Sequence, residues 1–146
     1  MRRRVCDDDD FTLVTNYLRR VHGDLDVIID HAENALKKIK FDTLVGRGMS
    51  GALVVPVLAR ELSVRYKRPI GSLVIRKPGD DSHASLPAEG KLGRRWLFVD
   101  DFISSGETRR AAFAGVTDVA RRAHWKTKFV GSYLYTDEQI EPASKL

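Results

Sequence analysis

Residues Arg94 to Thr108 constrain this chain more than any other stretch. Trp96, Leu97, Phe98 and Val99 form a short apolar run of the kind that makes a strand buried on both faces. Asp100 and Asp101 close the run, and Ser104, Ser105 and Gly106 make a small-residue turn after it. From Thr108 onward, Ala111, Ala112, Phe113, Val116, Val119 and Ala120 recur at helical spacing. The order strand, acid pair, tight loop, helix N-terminus directs backbone N–H groups and hydroxyls at one point, where the helix dipole adds positive potential. That point suits a phosphate. Two carboxylates beside it can accept from hydroxyls, so the whole suits a sugar phosphate. In the alternative, the acids merely cap a helix and the serines fill a turn; the order of the surrounding elements weighs against it.

Strand and helix patterns alternate through the rest of the chain. Asp7–Asp10 reads as a helix start, Phe11 to Val21 as an amphipathic helix stopped by Gly23, and Leu25 to Ile39 as a second helix with Lys37, Lys38 and Lys40 in its last turn. Phe41–Val45 is expected as a strand, followed by a glycine loop over 46–51 and a helix to about Val64. Pro69–Ile75 is the next strand, and Arg76 to Leu92, with Pro78, Gly79, Pro87 and Gly90, reads as a long mobile loop. Trp96–Val99, a helix to about Ala123 and a strand at Phe129–Tyr135 complete the pattern. The expected fold is α/β: a Rossmann-like parallel sheet of four to five strands flanked by helices, with ligands at the carboxyl ends of the strands.

The loop Gly46, Arg47, Gly48, Met49, Ser50, Gly51 has the spacing of a dinucleotide fingerprint between a strand and a helix. A nicotinamide dinucleotide would ask for an acid at the end of the next strand, and that strand ends in Arg76 and Lys77. The reading also leaves Asp100 to Thr108 without a role. Instead, Val99-to-Thr108 resembles the phosphoribosyl pyrophosphate (PRPP) signature of the type I phosphoribosyltransferases. Gly46 to Gly51 resembles the pyrophosphate loop of the same family, and Arg76 to His83 its flexible loop, which folds over bound PRPP. The three motifs come in the family's order and cover about Phe41 to Arg122.

The resemblance implies transfer of the 5-phosphoribosyl group from PRPP to a nitrogen acceptor, with release of pyrophosphate. It assigns Ser104, Ser105, Gly106, Glu107 and Thr108 to the 5′-phosphate, and Asp100 and Asp101 to the ribose hydroxyls. It assigns Arg47, Gly48, Met49, Ser50 and His83 to pyrophosphate. Lys77 or Arg76 would stabilise the leaving charge, so the catalytic set is Lys77, Arg76, Asp100 and Asp101. Mg²⁺ would arrive bound to PRPP, with Asp100 and Asp101 as the protein's own candidate ligands. Tyr133, Tyr135 and Asp137, near the end of the last strand, are weak candidates for contact with a base. In family members acting on 6-oxopurines, an aspartate stands where this chain has Ser104, which argues for adenine, orotate or another acceptor. The implied layout is one domain over 1–146: N-terminal helices and a small hood over 1–40, a core over 41–136 and a tail over 137–146. A homodimer and a place in nucleotide salvage are implied with it.

Composition adds bounds. A chain of 146 residues with 42% hydrophobic content can bury one core without staples. The single Cys6 cannot form an internal disulfide, which suits a reducing, cytoplasmic setting. No apolar run approaches a bilayer span, so no membrane partner is expected. A net charge of +5 suits an anionic small ligand and equally nucleic acid. No basic stripe interleaved with aromatics runs along the sequence, so nucleic acid is not the expected partner. A non-catalytic, PRPP-sensing and RNA-binding regulator on the same fold is the alternative function.

Overall fold

The computed structural model describes residues 16–77, 87–101, 103, 105–136 and 139–143, and the side chains of 16–22 and 50 are outside that description. The elements run α1 (Asn16–Leu36), β1 (Thr43–Arg47), α2 (Gly48–Tyr66), β2 (Gly71–Ile75), β3 (Ala88–Gly90), β4 (Arg95–Asp100), α3 (Glu107–Arg122), β5 (Lys128–Leu134) and β6 (Gln139–Pro142). The six strands form one sheet in the order β3-β2-β1-β4-β5-β6. The inner four are parallel and the outer two antiparallel.

The connections β1–α2–β2 and β4–α3–β5 leave the centre of the sheet in opposite directions. Right-handed crossovers therefore put α2 and α3 on opposite faces. The strand alternation agrees. Leu44, Leu97, Val99 and Tyr133 pack with α1 and α2, while Val45, Trp96 and Phe98 pack with Ala112 and Val116 of α3. Trp96, Phe113 and Phe129 close the second core, with ring centroids 4.6–5.7 Å apart. Both faces of the middle strands are covered, which is why they read as apolar runs and not as alternating ones.

Four expectations are corrected. Gly23 does not divide two helices, for α1 runs through it; a glycine inside a helix costs about 1 kcal/mol and ends one only in a left-handed cap, which Gly23 does not adopt. Lys37, Lys38 and Lys40 follow α1 and are not in its last turn, since the helix ends at Leu36. The sheet has six strands, not four or five. Its extra members are short edge strands too polar to show periodicity: β3 lies inside the expected loop 76–92, and β6 inside the expected tail. The helix start at Asp7–Asp10 lies outside the described residues. Among the described residues no helix is long and apolar enough to cross a membrane.

Candidate functional site

In an open α/β sheet the ligand crevice lies where neighbouring strands send their helices to opposite faces, and here that point is between β1 and β4. Their register pairs Val45 with Phe98. Beyond that last pair, Arg47 and Asp100, the last residues of their strands, lie at the carboxyl edge. Both glycine-containing loops singled out in the sequence leave from this one place.

The first of them, expected as a loop over 46–51, is corrected: Gly46 and Arg47 end β1 and Gly48 begins α2 directly, a junction built on close backbone approach. A Cβ added at Gly46 would stand 2.6 Å from Gly51 Cα, and one at Gly51 would stand 2.6 Å from the Gly46 carbonyl carbon. Only glycines let the first turn of α2 sit this low on the end of β1. Gly48 adopts φ +67°, in the left-handed region. Arg47 precedes α2 in extended conformation and makes no side-chain cap, and no acid occupies the first turn. That turn thus carries no side-chain cap from Arg47 and no acid of its own, the setting in which a helix N-terminus takes an anion. Lys77 lies over the loop, its Cε 2.8 Å from where a Gly48 Cβ would be. Arg76 instead pairs with Glu89 of β3, and its N–H donates to Pro87 O at 2.8 Å. Of the two basic residues, Lys77 faces the loop.

The second loop opens on the acid pair. Asp100 is buried, its Oδ1 accepting the Asp101 N–H at 2.9 Å, and Asp101 is half-buried. Their carbonyls accept the N–H groups of Tyr135 and Thr136, both at 3.1 Å, so the end of β5 holds the pair in place. At α3, Ser105 Oγ accepts the Glu107 N–H at 3.3 Å, and Gly106 takes φ +76°. Glu107 is exposed and Thr108 half-buried. Arg110 donates from Nη1 to Ser105 O at 3.2 Å and lies against Gly106. The sequence reading missed this guanidinium; its signal was a cation four residues after the loop glycine, one turn into the helix.

Other expected residues are placed less tellingly. Met49 is exposed. Tyr133 is fully buried in the larger core, the placement of a packing residue, and Tyr135 is nearly so. Ser104, His83, Asp137 and the 78–86 part of the expected lid lie outside the described residues, as does the Ser50 side chain. Among the described residues no three His, Cys, Asp or Glu side chains converge to hold a metal.

No protein-family model matches the chain, and no curated protein is similar to it in sequence. Solved structures are. Mycobacterium tuberculosis orotate phosphoribosyltransferase in complex with PRPP matches with a TM-score of 0.56 and 21% identity over 80% of this chain and 64% of that one. Orotate phosphoribosyltransferase from Aeropyrum pernix gives 0.52 and 18%, over 80% of this chain and 63% of that one. A phosphoribosyltransferase from Corynebacterium diphtheriae gives 0.50 and 18%, over 74% and 58%. The chain thus spans less than two thirds of the length of these proteins. What they share with it is the fold.

Proposed function

We propose that this chain, which has the type I phosphoribosyltransferase fold, transfers the 5-phosphoribosyl group of PRPP to a nitrogen acceptor in nucleotide salvage. The observation that carries the reading is the meeting, at the β1/β4 switch point, of an uncapped helix start under Lys77 with an acid pair leading into a second helix start. A diphosphate and a 5′-phosphate need separate anion sites, and a ribose between them needs hydroxyl acceptors; a helix start, an acid pair and a second helix start, with Glu107 in its first turn, support that reading.

In the reaction the acceptor nitrogen forms a bond to the anomeric carbon as that carbon's bond to the diphosphate oxygen breaks. Positive charge develops on the sugar and negative charge on the leaving group, so positioning and electrostatics do most of the work. Gly48 to Gly51 would hold the diphosphate through backbone N–H groups, with Lys77 and Arg47 supplying charge. Asp100 and Asp101 would take the ribose hydroxyls, and Ser105 to Thr108 the 5′-phosphate. A Mg²⁺ ion would supply charge neutralisation on the diphosphate; two neighbouring carboxylates fit an ion that keeps most of its ligands as water and phosphate oxygens. A homodimer belongs to this reading: Met49, Leu53 and Val57 are exposed four residues apart along α2, an apolar stripe that a second copy would cover.

The acceptor is tested by PRPP-dependent pyrophosphate release across a panel of bases. Ser104 offers a neutral hydroxyl where proton management beside a 6-oxopurine needs a carboxylate. Turnover is expected with adenine, orotate or another nitrogen acceptor, and negligible turnover with guanine, hypoxanthine and xanthine. Guanine or hypoxanthine as best substrate would overturn the acceptor reading, and no PRPP dependence with any base would overturn the enzyme.

A further inference from the structure

The opposite edge of the sheet is rich in basic residues. Because β1, β2, β4 and β5 are parallel, the four segments that enter them all lie at the amino edge. These segments, 37–42, 67–70, 91–94 and 123–127, each carry at least one Lys or Arg, and Arg95 and Lys128 begin the strands that two of them enter. Their one carboxylate is Asp42, which is occupied with the backbone N–H groups of Arg94 and Arg95. The lysines at 40, 67, 91, 126 and 128 are exposed, and among the described residues no carboxylate pairs with them.

The same edge carries Trp125, 38% exposed, the one exposed large apolar side chain in these segments. Its Nε1 donates to Gly93 O at 2.9 Å, and the Arg94 guanidinium lies 3.4 Å from the ring centroid. The indole is therefore held rigidly at the end of a row of cations. Four strands about 4.8 Å apart make an edge of about 15 Å, the reach of roughly four stacked nucleotides at 3.4 Å each.

We infer that this amino edge binds single-stranded nucleic acid, the lysines meeting phosphates and Trp125 offering a stacking surface. Unpaired cations with one fixed aromatic are the combination by which sequence-tolerant single-strand binders work. An anionic membrane is the lesser fit, because one indole is not the broad apolar face that inserts among lipids. The surface escapes a linear reading because its cations come from four separated segments that only the parallel topology brings together. It lies at the far end of the strands from the proposed PRPP crevice and does not rest on it.

The test is fluorescence anisotropy of a labelled single-stranded RNA of about 12 nucleotides with the whole chain at several salt concentrations. Affinity should fall as salt rises. With Lys40→Gln, Lys126→Gln and Lys128→Gln combined, it should drop about a hundredfold at about 0.1 M salt, and the log–log salt slope should shrink by about 2. Arginine at the same three positions should restore binding, and emission from the exposed Trp125 should change on binding in wild type. All three positions are exposed, and an unchanged melting temperature of the glutamine variant shows that its fold is intact. RNA binding that is absent, or equal in wild type and the glutamine variant, overturns the inference. So does binding to phosphatidylserine-containing vesicles without binding to RNA.

Discussion

The two ends of the parallel strands are made from similar materials and use them in opposite ways. At the amino end, beneath the exposed lysines, Asp42, Thr43, Gly93, Trp125 and Thr127 spend their polar groups on their neighbours in the fold. Asp42 accepts from the Arg94 N–H at 2.9 Å, the Arg95 N–H at 3.2 Å and the Thr43 hydroxyl at 2.8 Å. Thr43 Oγ1 in turn accepts the Gly93 N–H at 2.8 Å, while the Gly93 carbonyl takes Trp125 Nε1 and Thr127 Oγ1, both at 2.9 Å. The result is a closed lock that ties the entries of β1, β4 and β5 together. At the carboxyl end, α2 starts with no side-chain cap and α3 starts behind a left-handed glycine, also with no cap from the N-cap residue. An aspartate that serves backbone N–H groups on neighbouring strands is structural; the acid pair at the other end leads into a helix start, and the proposed function gives it the ribose hydroxyls. A fixed lower end lets the upper end keep donors presented without collapsing onto itself.

The largest effect that can break this contrast is at the acid pair. Asp100→Asn with Asp101→Asn should leave the melting temperature near wild type and weaken PRPP binding by on the order of 3–6 kcal/mol, two charge-assisted hydrogen bonds' worth. Calorimetric titration reads it, and wild-type affinity in the folded variant would sever the pair from the ribose. The mirror experiment is Asp42→Ala. It should cost about 2–4 kcal/mol of stability, by chemical denaturation, because three hydrogen bonds to a carboxylate vanish. PRPP affinity of the folded fraction should hardly change. An affinity loss as large as the one at Asp100 and Asp101 would mean that the two ends are not separable.

How much of this was legible in the sequence follows from the same physics. The central strands were readable because burial on both faces leaves uninterrupted apolar runs such as Trp96 to Val99. The two loops were readable because close backbone approach demands glycine and because carboxylates at a strand end are conspicuous. The edge strands β3 and β6 were not, since three or four polar residues held by a neighbour's ladder leave no pattern of their own. Lys77 could not be separated from Arg76 until the pairing of Arg76 with Glu89 was visible. Arg94 and Trp125 are 31 residues apart in sequence and stack in space, which no local reading reveals.

A smaller effect sharpens the description of the amino end. Tyr66, at the lower end of α2, donates to Glu33 O at 2.5 Å. Burial first, and the Glu33 carboxylate next, push its phenol up to about 12. The fold therefore prefers the protonated form. The stabilisation is complete below the ordinary phenol value of about 10 and is lost as pH rises through about 12. Tyr66→Phe should flatten the fall in melting temperature between those two pH values. An identical slope in wild type and variant would remove Tyr66 from the alkaline transition.

The most direct test of the division between the ends is hydrogen exchange followed by peptide mass spectrometry, with and without PRPP and Mg²⁺. PRPP should slow exchange in peptides covering 46–51 and 100–110 and leave those covering 37–42, 91–95 and 123–127 unchanged. Protection confined to the amino-end peptides, or no protection anywhere, would contradict the placement of the ligand at the carboxyl ends of β1 and β4.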